Sequence, residues 1–113
     1  MHIPEDHTPE DAERRVLKSV LQPLLEDFQY WFARSQQLLE QETMPFLSSQ
    51  EQLDLLHRIQ QAQQEVNSSK SLFQATGGQV GIEMAVLVPW HHLLTECWQV
   101  SARFRTEQSQ ASN

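Results

Sequence analysis

His91, His92, Glu96 and Cys97 stand close together near the C-terminal end of this chain and offer imidazole, carboxylate and thiol, the side chains that hold transition metals. On a helix His92 and Glu96, four positions apart, share a face. His57, three positions after Asp54, could add a ligand from a second helix. The chemistry implied is a metal- or pigment-binding helical bundle using His57, His91, His92 and Glu96. The set falls short of the di-iron pattern, which needs a Glu-x-x-His pair on each of two helices plus further glutamates, and no such pair occurs. The expectation is therefore solvent-exposed or locally bonded histidines, with no metal, no cofactor and no catalytic residue.

Nucleophilic chemistry is no better provided for. Cys97 lies within an apolar stripe and reads as a small core residue. Ser48, Ser49 and Ser101 lack the context of an activated nucleophile. Gly77-Gly78-Gln79-Val80-Gly81 has neither the Lys-Ser/Thr ending nor the preceding strand of a phosphate-binding loop, and reads as a turn. The chain is not expected to be an enzyme.

Aromatic residues point elsewhere. Trp31, Trp90 and Trp98 lie on or beside apolar stripes, and Tyr30 lies off its helix's seam. Any that exceed the needs of a small core would mark an interface, because aromatic residues dominate binding hot spots. The partner-binding residues assigned from sequence are Tyr30, Leu87 and Trp90. The expected function is a non-enzymatic adaptor or assembly factor that binds a protein partner, with self-association into a homo-oligomer as one way to complete a thin core.

The elements that must position these residues follow from apolar spacing. Leu17, Leu21, Leu24, Phe28, Trp31, Ser35 and Leu38 alternate by four and three, with Leu25, Phe32 and Leu39 alongside, so helix one carries the broad stripe of a bundle. Thr8 as N-cap and Pro9 at the first turn start it, and it runs to about Thr43. Pro23 predicts a kink rather than a break, because the stripe keeps its phase across the ring. Ser48 and Glu51 form a capping box that opens helix two, and Gly77-Gly78 close it. Leu87, Trp90, Leu94, Cys97, Ser101 and Phe104 draw the stripe of helix three. Pro89 favours a helix start at that residue, with 80–87 a short extra helix. The fold class is all-α, an antiparallel bundle of three long helices. Residues 1–8 are expected to form a flexible tail, 9–106 the bundle domain, and 107–113, which lack an apolar anchor, a second flexible tail.

Composition agrees. The chain has 113 residues, 39% hydrophobic and 20% charged, with a net charge of −7, which suits one modest globular core and disfavours nucleic acid as a partner. Arg103 and Arg105 suit the last turn of a helix, where cations favour the dipole. A single cysteine, no basic apolar leader and no stretch approaching the roughly 20 apolar residues of a membrane span suggest a cytoplasmic protein. Peripheral attachment through Phe46-Leu47 or Val86–Val88 is disfavoured by the acidic balance.

Four stretches carry a resemblance: residues 23–32 (PLLEDFQYWF), 61–66 (QAQQEV), 72–81 (LFQATGGQVG) and 87–99 (LVPWHHLLTECWQ). Together they resemble a family of small cyanobacterial proteins known only as a domain of unknown function, over roughly residues 15–105. The resemblance implies a cyanobacterial, cytoplasmic protein and transfers no reaction, cofactor or site residue.

Overall fold

The computed structural model describes the backbone of residues 9–111 and the side chains of residues 18–111. Thr8 and the expected N-terminal tail lie outside the described residues. Three helices make up the fold: α1 (Pro9–Gln41), α2 (Ser49–Ala75) and α3 (Met84–Ala111), with no strand among the described residues. Local chemistry sets both ends of α2 and the C-terminal end of α1. The Ser48 side chain accepts from the Glu51 amide at 3.0 Å while the Glu51 carboxylate accepts from the Ser48 amide at 2.9 Å, so two otherwise unsatisfied donors at the start of α2 are paired. Gln52 then ties α2 to the end of α1. Its Nε2 donates to the Leu39 and Glu42 carbonyls at 2.9 and 2.8 Å, and its Oε1 accepts from the Met44 amide at 2.9 Å. A single glutamine thus satisfies carbonyls at the C-terminal end of α1, where intrahelical donors run out, and fixes the turn over the fully buried Met44.

At the other end, Gly77 and Gly78 take φ of 65° and 81°, and the Gly78 amide donates to the Phe73 carbonyl at 2.8 Å. This is the left-handed closure that glycine permits at little steric cost. Gly78 is doubly constrained, because a Cβ there would lie 2.6 Å from Lys18 Cδ, where the lysine stem of α1 crosses the turn.

Pro23 lies inside a continuous α1. The expectation of a separate helix over 80–87 is corrected: α3 begins at Met84 and passes through Pro89 as one helix. Pro89 is only the sixth residue of α3, and it stands on an exposed side with Ala85, four residues before it. Its missing donor therefore removes one bond on a solvated face, while half-buried Leu87 and buried Trp90 keep the apolar phase on either side. The helix also runs through 107–111, where the sequence reading places a tail. Glu107 pairs there with Arg103 at 3.3 Å.

Following α1 forward means following α2 backward: Lys70 meets Gln29, Gln29 meets Asn67, and Leu39 meets Gln52. Arg58 with Glu96 and Glu65 with Trp90 give α2 and α3 the same opposed register. The core is one cluster. Leu21, Leu25, Phe28, Phe32 and Leu39 of α1 face Leu55, Ile59, Ala62, Val66 and Phe73 of α2, with Trp90, Leu93, Leu94, Cys97 and Phe104 completing it from α3. Every buried side-chain nitrogen and oxygen among the described residues has a hydrogen-bond partner. No described helix is long and apolar enough to cross a membrane.

Candidate functional site

The three tryptophans divide into two kinds. Trp90, assigned to partner binding from its sequence position, is only 2% exposed. Its ring meets Phe28 edge-on at 5.7 Å, and its indole N–H donates to Glu65 Oε1 at 3.0 Å. Buried indoles require such a partner for the N–H, and α2 supplies it. The assignment of Trp90 to a surface is therefore corrected, since it is a core residue joining all three helices. Leu87, the second assigned residue, is half-buried against that core.

Tyr30, the third, is exposed, and it belongs to a face that the sequence reading did not assemble. The Tyr30 and Trp31 rings meet edge-on at 5.0 Å, and Trp31 meets Trp98 of α3 edge-on at 5.8 Å. Trp31 is 36% and Trp98 43% exposed. Arg34, one turn beyond Tyr30, donates to the tyrosine hydroxyl at 2.9 Å and lies 5.7 Å from its ring centre. Helix spacing builds the α1 part of this face, because positions 30 and 34 are neighbours one turn apart. Below Trp31 and Trp98 a cleft of about 450 Å³ opens between α1 and α3, with Arg34 and Arg105 on its walls and Leu38 and Phe104 among its apolar lining. Its chemistry is apolar and cationic together, which suits an apolar group carrying negative charge.

The metal-ligand candidates do not assemble into a set of three among the described residues, although His92 and Glu96 line one shallow cleft. His57, His91 and His92 are exposed, and Glu96 is committed to Arg58 by two bonds of 2.8 Å. Those bonds hold the Glu96 carboxyl below the usual carboxylate range, against a smaller opposing effect of burial, and raise the pKa of Arg58. Among the described residues no three His, Cys, Asp or Glu side chains could share a metal ion.

Cys97 is buried at the helix interface. Burial pushes its thiol up to about 11, although a hydrogen bond with Ser35 works the other way. Since the thiolate is the reactive form, native Cys97 should react with a disulfide reagent at pH 8 on the order of 100-fold more slowly than it does in urea. Equal rates in the two conditions would show an accessible, ionisable thiol.

Comparison with curated proteins and with solved structures gives no significant match. Residues 11–106, most of the chain and all of the packed helices' shared core, match the family described as protein of unknown function, DUF2605, and the chain belongs to that family.

Proposed function

We propose that this chain is a non-enzymatic helical interaction module, an adaptor or assembly factor of cyanobacterial cytoplasmic type, that binds a protein partner through the Tyr30–Trp31–Trp98 face. One observation carries the reading: two large indoles stay more than a third exposed while the core closes without them. Core formation does not explain their position, because Trp90 alone supplies the indole that the three helices pack around. Large, stiff aromatic side chains held in order at a surface are the usual anchors of a binding hot spot. Arg34, hydrogen-bonded to the Tyr30 hydroxyl, adds the residue type most often found beside such anchors.

The test uses the full-length protein, tagged, in lysate of its own source. Wild type and a Leu53→Ala control, altered at an exposed apolar site on α2, should retain the same stoichiometric companion. The double variant Trp31→Ala/Trp98→Ala should lose it while keeping its helical circular dichroism. Retention of the companion by the double variant would overturn the proposal, as would light scattering showing that the wild type's only companion is a second copy joined through another face.

A further inference from the structure

We propose that the occupant of the α1–α3 cleft is an acidic amphipathic helix of a partner protein, its apolar side chains seated against Trp31 and Trp98 and its carboxylates on Arg34 and Arg105. This rests on the interaction reading above and adds the chemistry of the partner.

Charge supports it. The chain carries a net −7, and three other cations lie beside acids: Arg58 with Glu96, Arg103 with Glu107 and, at 4.0 Å, Lys70 with Glu26, although the Lys70 ammonium donates at 2.9 Å to the neutral Gln29 side chain. Arg34 has no carboxylate partner among the described residues and bonds a neutral tyrosine hydroxyl. Arg105 has no carboxylate partner among the described residues. The cleft thus concentrates two guanidinium groups without a carboxylate partner on an otherwise acidic protein, beside two half-open indoles. A guanidinium presents a planar fork that matches a carboxylate with two parallel bonds, and in an apolar cleft that pairing is stronger than on open surface. Shape supports it as well. Two helices lying side by side leave a groove that a third helix fills with residues at intervals of three and four, and such a docking extends the existing bundle by one member.

The probes are two synthetic helical peptides of about 20 residues with identical leucine stripes, one flanked by glutamate and the other by lysine. The protein's overall charge favours the lysine peptide, so a preference for the glutamate peptide can arise only locally. Titrations of the full-length protein, followed by anisotropy of labelled peptide, should show the glutamate peptide binding at least about tenfold more tightly, by an amount that shrinks as salt is raised. Arg34→Glu/Arg105→Glu should abolish the preference, and Arg34→Lys/Arg105→Lys, which keeps the charge, should retain part of it. If wild type binds both peptides equally and Trp31→Ala/Trp98→Ala binds neither, the acidic occupant is refuted while the aromatic interface stands. If Trp31→Ala/Trp98→Ala binds the glutamate peptide as tightly as wild type does, both proposals fail.

Discussion

Trp90→Ala should cost about 3–5 kcal/mol of folding stability, while Trp98→Ala should cost only about 1 kcal/mol. The two residues are eight positions apart on the same helix and chemically identical, so the difference isolates burial. Removing the Trp90 indole empties the space between Phe28 and α2 and deletes the contact that joins all three helices. Its N–H bond to Glu65 is lost too, although the carboxylate left behind is exposed and rehydrates. Removing the Trp98 indole breaks one edge-to-face contact with Trp31 and uncovers a surface already wet. Against a total stability of about 5–15 kcal/mol for a domain of this size, the first change consumes a large share and the second does not. Urea denaturation followed by circular dichroism measures both. Comparable losses would mean that Trp98 is a core residue, and the argument for a surface anchor would fall with it.

The split between these tryptophans also marks how far the sequence could be read. Helix type, capping box and glycine closure were all legible because each depends on neighbours within a few positions: Ser48 with Glu51, Gly77 with Gly78, and apolar residues at intervals of three and four. Which of two adjoining tracks faces the core is a different question. Leu21, Leu25, Phe28, Phe32, Ser35 and Leu39 are buried, whereas Leu24 and Leu38 are half-buried and Trp31 is exposed. Both tracks keep the helical interval, and hydrophobicity alone ranks the Trp31 track as high as its neighbour. The choice is made by where α2 and α3 cross α1, a fact spread over residues distant in sequence. Apolar spacing does not pair Trp31 with Trp98 for that reason. The usable signal was local: Tyr30 and Arg34 stand one turn apart beside Trp31, a polar-aromatic cluster that a purely internal helix face would not carry. Pro89 turns on a related point. The rule that the residue before proline avoids helical geometry is statistical, and here the missing bond falls on an exposed side near the helix start.

Pro23 presents the same chemistry deeper inside a helix, and Pro23→Ala should stabilise the protein by about 2 kcal/mol. A proline in a helix interior costs roughly 3 kcal/mol through its missing donor and the clash of its ring with the preceding turn. Some of this is offset, because proline also restricts the unfolded chain, by about 0.4–1 kcal/mol. Pro23 is exposed, so alanine creates no cavity, and Leu21 and Leu25 on either side are buried in unbroken phase. A gain in the urea midpoint with an unchanged slope would identify Pro23 as a local helix penalty tolerated by the surrounding packing. A loss would mean that the packing of α1 depends on a bend at Pro23, since straightening the rod would then move Phe28 and Trp31 away from Trp90 and Trp98. Binding of the glutamate-flanked peptide would distinguish these cases independently of stability: it should be unchanged if the proline acts locally, and weakened if it aims the second half of α1 at α3.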